Sequence, residues 1–286
     1  MSDETLPATA GIGRVALRVA DLDAVVSFYR DVVGLAVRSR AAERATLGTA
    51  DSGLLELTAA PDTPARPDSA AGLFHTAFRV PSRAALADAL ARVRDGWQLS
   101  GASDHAVSEA LYLRDPEGNG VEIYRDRERA AWPTDDSGRV EMVTEPLDLD
   151  ELASAAGDER GASATVPVGT DVGHVHLEVT SLRSARECYG DALGMNVRQE
   201  TGGALFLAAG EYHHHVGANV WNRRSTPAAG LGLDWFEVVV PDAGALAAVR
   251  ERFDRADVAT ESVDGGEAEL AVTDGDGIGL RVRVAD

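Results

Sequence analysis

Three of the seven histidines in this chain stand side by side in EYHHHVGANVW, residues 211–221. Imidazole changes its charge near neutral pH, so a histidine can pass a proton or, when neutral, bind a metal ion. We expect this stretch to be a strand, on which side chains alternate between two faces. His213 and His215 would then share one face, and His214 would lie on the other. A polar strand edge without chemistry is the alternative interpretation.

Two further histidines and one carboxylate lie within a repeated sequence. The segment RVALRVADLDAVVSFYRDVVGL at 14–35 aligns with HVHLEVTSLRSARECYGDALGM at 174–195. Residues 75–90 align with residues 235–250 at the same offset. Each copy opens with alternating apolar residues, which predict a strand, and continues with a helical pattern. The chain is therefore internally duplicated.

The repeated pattern predicts strand, helix and then three strands. We count four such modules, numbered one to four, which begin near residues 12, 73, 172 and 232. Gly34 and Gly194 stand where the first helix of each half should end, because glycine readily takes the left-handed conformation of a helix terminus. The motif DPEGNG predicts a tight turn between two strands.

These patterns predict an α+β fold of four βαβββ modules in two lobes. We expect the first lobe over residues 1–126, a linker over 127–169 and the second lobe over 170–286. The linker contains a short amphipathic segment, LDLDELASAA, between polar and proline-containing stretches.

Composition excludes several classes of function. The 27 basic residues, all arginine, are scattered among 47 acidic residues, and the net charge is −20, so a nucleic-acid partner is not expected. No apolar run reaches the ~18 residues that span a bilayer, and the N-terminus lacks the features of a signal peptide. The single cysteine, Cys188, excludes an intramolecular disulfide. We expect a cytoplasmic protein without a membrane partner.

The acidic surface also suggests an adaptation to salt. Carboxylates in this excess repel each other, and concentrated salt screens that repulsion. The composition is similar to that of proteins from salt-accumulating archaea, so we predict a halophilic protein. An ordinary acidic protein is the alternative.

The motifs V-x-L-x-V, FY-x-DVVGL and DPEGNGVEIY resemble the vicinal oxygen chelate superfamily, which includes glyoxalases, bleomycin resistance proteins and extradiol dioxygenases. The resemblance covers nearly the whole chain except the linker. It implies glyoxalase-like lobes in which paired modules form cup-shaped mixed sheets around one divalent metal ion. The ligands would come from the first strand of two modules and from the last strand of one or both.

The ligand positions differ among the four modules. On the first strand they are, in chain order, Arg14, His75, His174 and Trp235. On the last strand they are Glu56, Glu122, Asn219 or a neighbour, and Arg281. Arginine and tryptophan do not ligate a divalent cation, so we interpret Glu56 and Arg14 as an ion pair at a lost site.

Pairing of modules two and three would gather His75, Glu122 and His174. Two imidazoles and one carboxylate form the facial set of non-haem Fe(II) oxygenases, which leaves positions for substrate and O₂. Pairing of modules one and two would instead gather Glu56, His75 and Glu122. We predict the first pairing with Fe(II), and Mn(II) is the alternative metal.

The resemblance also implies roles for other side chains. SDHAVSEALYLRDPEGNGVEIYRDR, GHVHLEV and EYHHHVGANVW are similar to the two-lobed catechol 2,3-dioxygenases of aromatic catabolism. His215 would act as an acid and base toward oxygen, with His213 as its partner, although any of the three adjacent histidines could face the metal. Tyr112 would hydrogen-bond a substrate oxygen, and His105 would lie near the deprotonated hydroxyl. The substrates would be a small aromatic diol and O₂.

Two other functions stay open on the same scaffold. A glyoxalase-type lyase or isomerase would use Zn or Ni, usually with four protein ligands and a carboxylate base. A non-enzymatic protein that sequesters small molecules would need no metal, and therefore no aligned histidines. A homo-oligomer is also left open.

Overall fold

The computed structural model describes residues 5–135, 140–156, 164–263 and 269–285. These residues form seventeen strands: β1 (Gly11–Val19), β2 (Ala36–Arg40), β3 (Arg44–Gly48), β4 (Gly53–Ala59), β5 (Gly72–Arg79), β6 (Gly101–Asp104), β7 (Ser108–Arg114), β8 (Gly120–Asp126), β9 (Glu145–Pro146), β10 (Asp171–Glu178), β11 (Asn196–Glu200), β12 (Ala204–Ala208), β13 (Val216–Asn219), β14 (Gly232–Val240), β15 (Glu261–Ser262), β16 (Glu269–Thr273) and β17 (Gly279–Val284).

The same residues form five α-helices: α1 (Leu22–Phe28), α2 (Arg83–Gly96), α3 (Leu149–Ala153), α4 (Leu182–Ala185) and α5 (Ala243–Arg255). Helices α1 and α4 continue as π-helical segments, Tyr29–Val33 and Arg186–Ala192, and a 3₁₀ turn spans Arg129–Ala131. None of the helices in the described ranges has the length and apolar character needed to cross a membrane.

Strand, helix and three strands recur four times, as the sequence predicts. Strands β1, β5, β10 and β14 open modules one to four. Gly34 and Gly194 follow the π-helical segments of modules one and three, with φ angles of 91° and 93°. Glycine adopts this left-handed conformation without the steric cost that a Cβ atom brings. The α+β fold of four βαβββ modules is therefore confirmed.

The predicted linker contributes β9 and α3. Helix α3 begins after Asp148, whose side chain accepts hydrogen bonds from the backbone N–H groups of Asp150 and Glu151 and so caps the helix. Residues 136–139 and 157–163 of the linker lie outside the described residues. The domain bounds given above stay a prediction.

Contacts between Cα atoms divide the chain into two compact units. The first unit comprises Met1–Ala16, Pro64–Phe74 and His174–Asp286. Its core includes the fully buried Tyr189, whose hydroxyl donates a 2.6 Å hydrogen bond to Asp274 Oδ2. The second unit comprises Leu17–Thr63 and His75–Gly173.

The second unit contains the predicted DPEGNG turn. Asp115 Oδ1 accepts hydrogen bonds from the backbone N–H groups of Glu117 (2.9 Å) and Asn119 (2.8 Å). Gly118 takes a φ angle of 86°. The turn joins β7 to β8, whose antiparallel register places Tyr112 directly opposite Glu122. The turn therefore aligns two residues that the sequence assigns to one site.

The strands form two mixed sheets. The eight-stranded sheet has the order β15-β16-β17-β14-β1-β4-β3-β2, and the nine-stranded sheet has the order β11-β12-β13-β10-β5-β8-β7-β6-β9. In modules two and three the first strand pairs with the last strand in parallel, β5 with β8 and β10 with β13. The nine-stranded sheet holds modules two and three, which is the pairing that the sequence predicts.

Candidate active site

A histidine and a glutamate lie side by side at the centre of module two. The register of β5 and β8 places Glu122 opposite Ala77, two residues after His75. His75 Nε2 lies 3.0 Å from Glu122 Oε2, and both side chains are buried. Burial of such polar groups is costly unless they are paired or bind an ion, so this pair is a candidate for chemistry.

A third side chain completes a group that could hold a metal ion. One ligand atom from each of His75, Glu122 and His174 lies within 4.8 Å of the other two, and all three residues are buried. Two imidazoles and one carboxylate are the donor set that Fe(II) takes in its facial sites. The three residues predicted as ligands therefore lie together.

The equivalent last-strand position in module three carries no carboxylate. The register of β10 and β13 pairs His176 with Gly217, where module two pairs Ala77 with Glu122. The sequence predicts Asn219 or a neighbour at this position, and the register identifies Gly217. A Cβ atom on Gly217 would lie 3.0 Å from Cγ of His176, so the imidazole fills the space a side chain would need.

Module four carries an aromatic ring and arginines at the corresponding positions. Its register pairs Trp235 with Gly279 and Glu237 with Arg281, as module two pairs His75 with Gly120. The guanidinium carbon of Arg281 lies 3.9 Å from the centroid of the Trp235 ring, which is the geometry of a cation–π contact.

Glu237 is fully buried beside this contact and is paired with two arginines. Arg14 Nη2 lies 2.9 Å from Glu237 Oε1, and Arg283 Nε lies 3.0 Å from Oε2. Burial by itself raises the pKa of the Glu237 carboxyl, but the hydrogen bonds of Arg14 and the charges of Arg14 and Arg283 outweigh this effect and lower the pKa. Arg14 pairs here with Glu237, whereas the sequence predicts a pair with Glu56, which stays a prediction.

Tyr112 and His105 extend the group around Glu122. The Tyr112 hydroxyl lies 2.7 Å from His105 Nε2, and its ring centroid lies 5.8 Å from that of His75. Burial, together with the charge of Glu122 and a hydrogen bond to it, raises the pKa of Tyr112 well above its usual value. The phenol therefore stays protonated at neutral pH.

The three adjacent histidines precede the last strand of module three. Strand β13 begins at Val216, so the predicted alternation of His213, His214 and His215 along a strand is wrong. The chain turns through Gly210, which has a φ angle of 59°. All three imidazoles are buried, although they do not follow the two faces of a strand.

The His214 ring lies closer to His174 than the His213 ring does. Their ring centroids are 4.1 Å apart, and that of His213 is 6.2 Å from His174. His213 Nδ1 lies 2.8 Å from His214 Nδ1, so one of the two rings donates a hydrogen bond to the other. His215 Nδ1 accepts a hydrogen bond of 3.1 Å from the backbone N–H of Ala209. The ring chosen from the sequence, His215, is thus held by the backbone.

An aromatic cluster that the sequence motifs do not predict surrounds His176. The ring centroids of Phe74 and Trp221 both lie 5.2 Å from that of His176, and that of Phe206 lies 5.8 Å away. Phe206 also lies 5.1 Å from His214. The signal in the sequence was the spacing HVH on β10, which puts a second histidine two residues after His174.

Comparisons with known proteins agree with this architecture. Residues 11–123 match the Glyoxalase/Bleomycin resistance protein/Dioxygenase superfamily. The chain is 40% identical to the catechol-2,3-dioxygenase of Bacillus subtilis (strain 168) over 261 residues, which cover 88% of this chain and 90% of that protein. It is 31% identical to biphenyl-2,3-diol 1,2-dioxygenase 3 of Rhodococcus globerulus over 122 residues, which cover 41% of this chain and 64% of that protein.

Solved structures share the fold at low sequence identity. A Bacillus subtilis crystal structure matches with a TM-score of 0.66 and 12% identity, and covers 98% of this chain and 86% of its own. Glyoxalase I from Zea mays matches with a TM-score of 0.59 and 16% identity, and covers 96% of this chain and 92% of its own. The extent of the identity to the B. subtilis enzyme shows the family, and this chain belongs to the Glyoxalase/Bleomycin resistance protein/Dioxygenase superfamily.

Proposed function

We propose that this chain is an extradiol ring-cleaving dioxygenase that opens a catechol-type diol with O₂ at one Fe(II) ion. The observation that carries the proposal is the buried group of His75, Glu122 and His174. The 40% identity to a catechol-2,3-dioxygenase supports the same reaction.

His75, Glu122 and His174 would hold the iron, and Mn(II) suits the same nitrogen and oxygen donors. When bound, the metal ion supplies sites for the diol oxygens and O₂ and a path for electrons between them. Gly217 offers no fourth protein ligand on the last strand of module three. A three-ligand site suits a diol and O₂ better than it suits a glyoxalase, which usually has four protein ligands.

Tyr112 and His105 would handle the substrate hydroxyls. The Tyr112 phenol stays protonated, so it can donate a hydrogen bond to a diol oxygen beside Glu122. His105 Nε2, which lies 2.7 Å from the Tyr112 hydroxyl, can take up a proton passed through that hydroxyl. These two residues would promote ionisation of the diol.

His214 would provide the acid and base on the side of His174. Its ring lies 4.1 Å from His174 and 2.8 Å, nitrogen to nitrogen, from His213, which can resupply a proton. His215 was the choice from the sequence and stays a prediction. We favour His214 because its ring is in close contact with that of His174.

The aromatic cluster would hold the ring of the substrate. His176, Phe206 and Trp221 form an aromatic wall that continues to His214 through Phe206. The side chain of Trp221 is 52% exposed, so it marks the solvent side of this wall. A planar aromatic diol matches such a surface because aromatic rings pack edge to face or offset against each other.

The proposal is tested with protein reconstituted anaerobically with Fe(II). A panel of catechols is added with O₂, and O₂ uptake and the yellow ring-opened product are measured. We expect equal consumption of catechol and O₂ by the wild type and none by Glu122→Ala. Bound iron without O₂ uptake across the panel, together with turnover of a glyoxalase substrate, would favour the lyase or isomerase.

Other features stay proposals. A role in aromatic catabolism follows from the resemblance to catechol 2,3-dioxygenases, whereas composition suggests a cytoplasmic location and adaptation to high salt. The last follows from the net charge of −20, which predicts a stability that rises with salt concentration.

A further inference from the structure

We infer that part of the predicted linker, residues 140–146, is a positioning element that orients the His105 ring toward Tyr112. We call these residues the linker strap. The inference deepens the proposed function, in which His105 takes up a proton from the substrate hydroxyl. It assigns a role to a segment whose sequence suggests only a connection between two lobes.

Val143 holds His105 at two points through its backbone. The Val143 carbonyl oxygen lies 2.6 Å from His105 Nδ1, and the Val143 N–H donates a 3.3 Å hydrogen bond to the His105 carbonyl. The Val143 side chain is 40% exposed, so it contributes little packing. The contact between this residue and His105 is therefore made by main-chain groups.

Strand pairing aligns the linker strap with the residues before His105. In the antiparallel pair of β6 and β9, Asp104 lies opposite Glu145 and Ser103 lies opposite Pro146. The other end is held by a hydrogen bond from the Glu141 N–H to the Pro133 carbonyl. The strap is thus fixed on both sides of Val143.

The carbonyl of Val143 selects one form of the neutral His105 ring. A carbonyl oxygen can only accept, so Nδ1 must carry the hydrogen. Nε2 then keeps its lone pair, which points at the Tyr112 hydroxyl at 2.7 Å. The strap therefore leaves the basic nitrogen on the side of the ring that faces Tyr112.

The turn that carries His105 is also constrained. Ala106 has a φ angle of 64°, a conformation that residues with a Cβ atom rarely adopt. The Asp104 side chain accepts a 2.9 Å hydrogen bond from the Ala106 N–H, and its other oxygen pairs with Arg127 at 2.6 Å. Backbone strain of this kind persists where the surroundings hold it, commonly beside functional residues.

The first test follows the His105 ring by NMR in the full-length, metal-free protein labelled with ¹⁵N-histidine. His105→Asn assigns the signals. A strap variant replaces Glu141, Met142 and Val143 with glycine, which loosens the backbone, and a matched control replaces Ser154, Ala155 and Ala156 with glycine. We expect hydrogen on Nδ1 in the wild type and the control, and a mixture of both ring forms in the strap variant. Hydrogen on Nε2 in the wild type, or identical spectra for all three, would overturn the inference.

The second test is a double-mutant cycle on the iron-loaded enzyme. If the strap acts through His105, the strap variant should lower kcat about tenfold, with iron content and KM unchanged. In a His105→Ala background the same replacement should change kcat less than about twofold. An equal tenfold loss in both backgrounds would mean a merely structural role. Absence of ring cleavage by the wild type would count against the proposed function, while the NMR result would still decide the role of the strap.

Discussion

Modules two and four have the same strand register and opposite chemistry. His75 on β5 lies opposite Gly120, and Trp235 on β14 lies opposite Gly279. Two residues further along, the last strand carries Glu122 in module two and Arg281 in module four, so a potential metal ligand is replaced by a cation.

The two regions satisfy their buried polar groups in different ways. Module two contributes donor atoms that suit a metal ion. In module four, the charge of Glu237 is instead balanced by Arg14 and Arg283. Arg281 stacks on the ring of Trp235. The βαβββ backbone therefore forms with or without a set of metal ligands. Side chains at a few register positions decide whether a module can bind a metal.

We expect the largest difference between modules two and four, in iron content and turnover, when Glu122 and Arg281 are each replaced by alanine. Glu122→Ala should lose iron and lower turnover more than about 1,000-fold, because a charged ligand is removed. Arg281→Ala should keep both iron and turnover. Elemental analysis measures the iron content, and O₂ uptake measures turnover. Loss of iron from both variants would contradict the expected difference between the two modules.

Removal of the buried charge in the other region should affect stability instead. Glu237→Gln breaks pairs with Arg14 and Arg283, and we expect a loss of about 3 kcal/mol in the free energy of unfolding. Iron content should not change. Urea unfolding measures the loss, and Glu269→Gln, which removes a more exposed partner of Arg281, is the control with an expected loss below about 1 kcal/mol.

Alanine variants of His214 and His215 distinguish which of the two acts as the acid and base in the candidate active site. His214→Ala should lower kcat about 100-fold while iron stays bound, because the acid and base beside His174 is lost. His215→Ala should have a smaller effect on kcat. Steady-state kinetics at matched iron content separates the two, and the reverse order would restore the assignment made from the sequence.

The smallest expected effect is a dependence of the free energy of unfolding on pH, caused by Glu237 in module four. The pKa of Glu237 is lower in the folded than in the unfolded chain, so its ionised form favours folding. This stability is present above the unfolded pKa and is lost as the pH falls through the folded pKa. Unfolding of metal-free protein between pH 7 and about pH 3 should show a contribution that Glu237→Gln lacks. Parallel curves for the two proteins would contradict the assignment.

The sequence by itself determined the four modules and, through the resemblance to a known superfamily, predicted His75, Glu122 and His174 as metal ligands. Strand alternation, helical periodicity and terminal glycines such as Gly34 are local signals, so they can be read without knowledge of distant contacts. The internal repeat then aligned the first strands, and the resemblance to the superfamily implied that His75 and His174 stand at ligand positions.

Only the tertiary structure decided which residues surround that group. The position of His214 depends on where β13 begins, and the partner of Arg14 depends on which modules share a sheet. The contact between Val143 and His105 joins residues far apart in the chain. Such contacts follow from sheet register and packing, which no local periodicity encodes, because a shift of one residue turns every side chain of a strand to its other face.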